Sequence, residues 1–99
     1  MPKYLILYRS STSAREQMSA ASPEEAQAGM AAWQSWGQKA GPAIVDFGAP
    51  LDGEGDITGF SILEADSRSA MDELLADHPH HQAPGAEIDV YEFMAMPGV

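Results

Sequence analysis

Apolar and polar residues are arranged along this chain in a pattern that predicts four strands and two helices. The first apolar segment is residues 3–9, in which Tyr4 to Tyr8 form an uninterrupted apolar run. Such a run predicts a strand covered on both faces, and therefore a strand in the middle of a sheet. The next residues, 10–13, all carry short hydroxyl side chains, which compete with regular backbone pairing and favour a loop.

The strongest local signal for a helix is the segment 22–25. Ser22 is suited to cap free backbone N–H groups, proline follows at the first helical position, and Glu25 completes a capping box. Small and apolar residues then recur at helical spacing until a glycine–proline pair ends the pattern. The pattern predicts a helix over residues 23–40.

A hairpin is predicted next. Residues 51–56 are mostly polar and contain two glycines, which favours a turn between a second strand at 43–49 and a third strand at 57–63.

A second helix and a last strand complete the pattern. Asp66 or Ser67 is suited to cap the helix, which is expected to end near Asp77 because Pro79 disfavours helical backbone at the residue before it. Residues 87–94 predict the last strand, and the acidic residues within it are typical of a sheet edge.

The resulting order, β-α-β-β-α-β, predicts one α+β domain over residues 1–99. Two right-handed crossovers and a hairpin give a ferredoxin-like arrangement, with both helices on one face of a four-stranded antiparallel sheet. The first and third strands carry apolar side chains on both faces, so the uncovered face would be a larger apolar patch than soluble monomers usually expose. A homodimer joined through this sheet face is therefore predicted.

Charge and composition narrow the classes of partner. The chain has 99 residues, a net charge of −10 and no cysteine. This charge argues against binding to nucleic acid or to an anionic membrane surface, since both require clustered lysine and arginine. The absence of cysteine excludes a disulfide framework and a thiolate site, and no apolar run is long enough for a membrane span. We expect a cytoplasmic protein without a cofactor.

The elements, taken in order, resemble the YCII-related family of the dimeric α/β-barrel group over nearly the whole chain. The segments that carry the resemblance are 3–9, 22–25 with 30–36, 46–51, 59–67, 78–79 and 88–92. The resemblance implies a ferredoxin-like protomer, a homodimer whose sheets form a barrel, and a small-molecule cleft in each protomer. Some members of the wider family pair a histidine of the first helix with an aspartate after the second strand, and are proposed acid–base enzymes. Here Asp46 matches the aspartate, whereas the first predicted helix contains no histidine.

The three histidines, His78, His80 and His81, lie together after the second predicted helix. Histidine titrates near neutral pH and binds metals, so they are candidates for a general base or a ligand set. The alternative is structural: a protonated His78 would interact favourably with the free carbonyls at the helix end. A zinc site needs three or four converging ligands, which one histidine-rich loop does not establish, so no metal is predicted.

Four further residues are candidates for a site at the ends of the first two strands. Asp46 interrupts an apolar strand and either faces water or has a partner in a cleft. Tyr8 and Arg9 end the central strand, where Arg9 is suited to bind a carboxylate or phosphate with its planar fork, or else forms a surface ion pair. Trp36 is expected in the core and in the cleft wall.

These candidates lead to three hypotheses. The first is a protein that binds a small organic acid through Tyr8, Arg9, Trp36 and His80. The second is an acid–base enzyme of isomerase, lyase or dehalogenase type, with Asp46 or His78 as the base and Arg9 holding the carboxylate. The third is an interaction module whose acidic surface binds a basic partner.

Overall fold

A computed structural model describes residues 1–97 of the chain. These residues form an α+β structure with one four-stranded antiparallel sheet and three α-helices. The strands are β1 (Lys3–Arg9), β2 (Ile44–Pro50), β3 (Ile57–Glu64) and β4 (Glu87–Glu92). The helices are α1 (Ala14–Ala20), α2 (Pro23–Ala40) and α3 (Arg68–Leu75), and short 3-10 segments follow α2 and precede β4.

The order of strands in the sheet is β2-β3-β1-β4. β1 therefore lies in the interior of the sheet, as its uninterrupted apolar run predicted, and β4 lies at an edge, as its acidic residues predicted. Tyr4 of β1 is opposite Leu63 of β3 on one side and Glu92 of β4 on the other. This register aligns Tyr4, Ile6 and Tyr8 on the same face of the sheet as the side chains of Ser61 and Leu63.

The predicted capping box begins α2. The Ser22 hydroxyl accepts a hydrogen bond from the Glu25 backbone N–H at 3.1 Å, and the Glu25 carboxylate accepts one from the Ser22 N–H at 3.1 Å. The contact lowers the pKa of Glu25, because these hydrogen bonds favour the charged carboxylate. Of the two residues predicted to cap α3, Asp66 and Ser67, it is Ser67 that does so. Its hydroxyl accepts a hydrogen bond from the Ala70 N–H.

α1 is a helix that the sequence pattern did not predict. Ser13 caps it through the Glu16 N–H at 3.1 Å, but the helix has no buried residue. Polar contacts join α1 to the rest of the chain, among them an ion pair between Arg15 and Asp52 at 2.7 Å. A short helix without a buried apolar stripe lacks the periodicity that predicts helices.

The core lies on one face of the sheet. β1 supplies Tyr4, Ile6 and Tyr8, and both longer helices pack their apolar sides against them. The buried residues of this cluster are Tyr4, Ile6, Tyr8, Trp36, Ala40, Leu63, Met71 and Leu75. The arrangement agrees with the prediction that α2 and α3 cover the same face.

The opposite face of the sheet also carries apolar residues. Leu5 and Leu7 of β1 lie opposite Ile62 and Phe60 of β3, and all four side chains are partly exposed in the single chain. Tyr91, opposite Leu5 on the other side, is 57% exposed. We call these five residues the open face. They are outside the buried core cluster.

β2 is an irregular edge strand, displaced by one residue from its predicted bounds. Its pairing with β3 shifts register twice, on either side of Asp46. Gly48 has φ +87°, and a Cβ there would lie 1.6 Å from the Phe60 carbonyl oxygen. Only glycine fits this close approach of two backbones.

Candidate functional site

His78 lies at the centre of the molecule rather than on its surface. It follows α3 and precedes the 3-10 segment Pro79–Gln82, and only 2% of its surface is exposed. The Nδ1 atom of its ring accepts a hydrogen bond from the backbone N–H of His80 at 3.0 Å. An accepting Nδ1 carries no proton, so hydrogen bonding assigns the proton of the neutral ring to Nε2.

Aromatic side chains enclose the His78 ring. Its centroid lies 4.3 Å from that of Trp36, 4.5 Å from that of Trp33 and 4.8 Å from that of Tyr8. Phe47 of β2 lies 6.1 Å from Trp33 and 6.4 Å from Trp36 by the same measure. We call these five residues the aromatic cluster. Trp33 and Trp36 reach the same ring because residues three apart lie on one side of a helix.

Burial decides the charge of His78. Removal from water lowers its pKa from 6.5 to about 3, with smaller contributions in the same direction from His80 and His81. The ring is therefore neutral at physiological pH. The prediction of a protonated His78 interacting with helix carbonyls is wrong, because an imidazolium would lose its hydration in this apolar setting.

The Nε2 atom of His78 is buried, and within residues 1–97 no atom forms a hydrogen bond with it. Buried polar groups are nearly always paired, and each exception calls for an explanation. Here the unpaired group is the single N–H donor of the ring, enclosed among aromatic side chains. This donor is the feature of the cluster that a bound molecule would satisfy.

Two consecutive hydrogen bonds connect β1 to β2 through Ser61 of β3. The Tyr8 hydroxyl donates to Ser61 Oγ at 2.9 Å, and Ser61 Oγ donates to the Phe47 carbonyl oxygen at 2.7 Å. Burial raises the pKa of Tyr8 to about 12, so the phenol is protonated. Sequence analysis missed Ser61 and Phe47. A signal for Ser61 was present, since it is a polar residue within an apolar strand.

His80 and His81 bind the loop to neighbouring elements. The Nε2 atom of His80 is 2.7 Å from the Arg9 carbonyl oxygen, and that of His81 is 2.9 Å from the Leu75 carbonyl oxygen. Burial lowers the pKa of His80, and its contact with Arg9 acts in the opposite direction. His80 thus lies beside Tyr8 (ring centroids 5.1 Å apart) and holds the loop against the end of β1.

Arg9 is surrounded by carboxylates from its own chain. Its guanidinium forms ion pairs with Asp56 at 3.1 Å, with Asp89 at 2.8 Å and with Glu87. The Nε contact with Asp89 lacks the geometry of a hydrogen bond and is an ion pair only. The hydrogen bond from another guanidinium nitrogen to Asp89 is the largest cause of a raised Arg9 pKa. These three carboxylates occupy the Arg9 guanidinium, which was predicted to bind either an acidic ligand or a surface carboxylate.

Asp46 lies away from the aromatic cluster. It is exposed, stands opposite Ile62 and accepts a hydrogen bond from the Gly48 N–H at 2.8 Å. This contact supports the irregular turn of β2. No hydrogen bond in the described part of the chain joins Asp46 to His78. The fold thus brings Tyr8, Trp36, His78 and His80 together and leaves Asp46 outside their cluster.

Two shallow grooves lie on the surface, and of these two the first is lined by a residue of the aromatic cluster. One, of about 290 Å³, lies behind Trp36 and is lined by Lys39, Asp77 and Pro79 among others. Lys39 and Asp77 form an ion pair, which lowers the pKa of Asp77. The other, of about 420 Å³, lies between α1 and the end of β2. His78 lines neither groove, and its ring is packed among the side chains of Tyr8, Trp33 and Trp36.

Two broader properties concern metals and membranes. From Met1 to Pro97, no three histidine, aspartate or glutamate side chains are grouped so as to hold a metal ion. Over the same span, no helix has both the length and the apolar character needed to cross a bilayer.

Comparison with known proteins assigns neither a family nor a function to this chain. No protein-family model matches the chain, and no curated protein matches it significantly.

Proposed function

We propose that this protein binds a small organic molecule, with one site in each protomer of a homodimer. The observation that carries the proposal is the unpaired Nε2 donor of His78, buried inside the aromatic cluster. An aromatic enclosure with a few oriented polar groups is the usual composition of a small-molecule site. Here the oriented polar group is the His78 ring, which the hydrogen bond from the His80 N–H holds in place.

The dimer part of the proposal is supported by the open face. The face contains Leu5, Leu7, Phe60, Ile62 and Tyr91, while α2 and α3 pack on the other side of the sheet. Apposing two such faces would remove both apolar surfaces from water. The strand order β2-β3-β1-β4 is also the order of a ferredoxin-like sheet. It supports a ferredoxin-like, dimeric α/β-barrel arrangement and membership of the YCII-related family.

Two observations favour binding over acid–base catalysis. A His78 with a pKa of about 3 is a weak base at neutral pH. Asp46, the other candidate base, is exposed and bonded to its own turn. His78 therefore lacks the environment that adjusts a catalytic base to neutral pH, and Asp46 has no partner among the candidate site residues.

The test is native mass spectrometry of the purified protein, together with tryptophan fluorescence during a screen of small organic molecules. We expect a dimer carrying, or able to bind, one small molecule per protomer, with altered emission because Trp33 and Trp36 form the walls of the site. His78→Phe is expected to lose the bound molecule. Met30→Lys, a change at an exposed residue of α2, is the matched control and should retain it. A protein that stays empty throughout the screen would refute the proposal.

A further inference from the structure

We infer that the ligand is an uncharged molecule with a carbonyl or similar acceptor oxygen, and that this oxygen accepts a hydrogen bond from His78 Nε2. The inference rests on the proposed function and specifies the chemistry of the molecule bound at the same site. Three features carry it: the orientation of the imidazole, the uncharged lining and the exposed wall formed by Phe47.

The orientation of the imidazole requires an acceptor. Because His80 N–H donates to Nδ1 at 3.0 Å, Nε2 holds the ring proton and acts only as a donor. The rings of Tyr8, Trp33 and Trp36 pack against the imidazole at tilted or edge-on angles, and together with the Nδ1 hydrogen bond they restrain it. A buried donor strongly favours a ligand that accepts its proton over one of similar shape that does not.

The lining of the cluster disfavours an anion. The side chains around His78 are aromatic, and the nearest hydroxyl groups, Tyr8 and Ser61, are already bonded to each other. Arg9 is neutralised by three carboxylates, and Lys39 is paired with Asp77. A carboxylate bound beside neutral His78 would be desolvated without a counter-ion, in a protein of net charge −10.

Phe47 is the most exposed member of the aromatic cluster, and its ring lies beside the two tryptophans that pack on His78. It is 41% exposed, whereas Trp36 is 3% exposed. Its backbone carbonyl is held by Ser61 Oγ at 2.7 Å, so a molecule would enter by rotation of the Phe47 ring and not by displacement of β2. The ring rests against Gly37 of α2, where the absent side chain leaves room for it.

The experiment compares three probes of similar shape: acetophenone, benzoate and ethylbenzene. Binding is followed by tryptophan fluorescence, and the His78 ring is observed through its ¹⁵N resonances. We expect the Nε2-protonated tautomer in the free protein, and a shift of the Nε2 resonance when acetophenone binds. Acetophenone should bind about tenfold or more tightly than either benzoate or ethylbenzene, because only it combines an acceptor with zero charge.

Variants at His78 separate the donor from the shape of the site. His78→Phe should remove the preference for acetophenone over ethylbenzene, whereas His78→Gln, which keeps an N–H donor, should restore part of it. The wild-type tautomer remains a test if either variant fails to fold. A His78 ring protonated at Nδ1 would overturn the inference. So would an Nε2 proton that is hydrogen-bonded to water, together with a failure of acetophenone to bind.

The probes also distinguish this inference from the proposed function. Benzoate binding as tightly as acetophenone would overturn the ligand class and leave small-molecule binding intact. Failure of every probe and of the wider screen would overturn both.

Discussion

Tyr8 and Ser61 share a buried hydrogen bond of 2.9 Å between the central strand β1 and its neighbour β3. Ser61 extends the connection to the Phe47 carbonyl oxygen at 2.7 Å, so two side chains join the interior of the sheet to the irregular edge strand β2. The wall of the candidate site is thereby anchored from the core.

Removing Ser61 should cost more stability than removing the Tyr8 hydroxyl. Ser61→Ala leaves the buried Tyr8 hydroxyl and the Phe47 carbonyl without this partner, an expected loss of about 1–3 kcal/mol. Tyr8→Phe leaves the Ser61–Phe47 bond in place and should cost about 0.5–1.5 kcal/mol. The measurement is urea unfolding of both variants and of the double variant. A double variant whose loss equals the sum of the single losses would contradict the coupling.

Gly48→Ala should destabilise the protein by about 3 kcal/mol or more, since its methyl group meets the Phe60 carbonyl oxygen and its φ of +87° is unfavourable for alanine. Gly53→Ala is the control. Gly53 lies in the β2–β3 turn, and a Cβ there meets no atom within 4 Å. Its expected effect is within about 1 kcal/mol by the same urea assay. Equal losses in the two variants would mean that β2 does not approach β3 in this way.

Stability should fall as the solution is acidified below neutral pH. The His78 pKa of about 3 in the folded protein lies below its ordinary value of 6.5, so the unfolded chain binds more protons between these limits. The contribution is complete above about pH 6.5 and is lost progressively as the pH falls toward 3. Its slope approaches about 1.4 kcal/mol per pH unit. The lowered pKa of His80 acts in the same direction.

Urea unfolding between pH 5 and 7 measures this slope above the range in which most carboxylates titrate. His78→Phe should flatten it. Met30→Gln, which replaces one uncharged exposed side chain of α2 with another, should leave it as in the wild type. A wild-type stability independent of pH over this interval would contradict the buried neutral state of His78.

Leu7→Lys should convert the proposed dimer to monomer, because it inserts a charge into the centre of the open face. Sedimentation at micromolar concentration is the measurement. Met30→Lys adds the same charge to an exposed position on α2 and should sediment like the wild type. Sedimentation of the wild type as a monomer would remove the basis for an apposed pair of sheets.

Local signals predicted the elements that depend on local chemistry. The apolar segment 3–9 predicted the bounds of β1 as observed, and the capping box at Ser22 together with the glycine–proline pair at 41–42 predicted those of α2. β4 ends at Glu92 rather than at 94, since the apolar pattern continues past the ladder. The double register shift in β2 was missed because it depends on the approach of Phe60, which no local pattern records.

The candidate site was predicted only in part, because its chemistry depends on neighbours distant in sequence. For Arg9 the sequence predicts either a ligand-binding group or a surface ion pair, and it does not identify the carboxylate partners, which come from positions 56, 87 and 89. His78 was identified as a candidate, yet its burial results from Tyr8 of β1 and from the tryptophans of α2. The sequence supplied the residues. The packing of α2 on the sheet buries His78, whereas β4 and the β2–β3 turn supply the carboxylates around Arg9.

The irregular course of β2 limits how this sheet can associate. A strand that shifts register twice is a poor template for another chain, and the acidic residues of β4 discourage addition at the opposite edge. Lateral growth into fibrils is thus disfavoured at both edges. In the proposed dimer, twofold pairing through the open face would produce a closed assembly that cannot propagate.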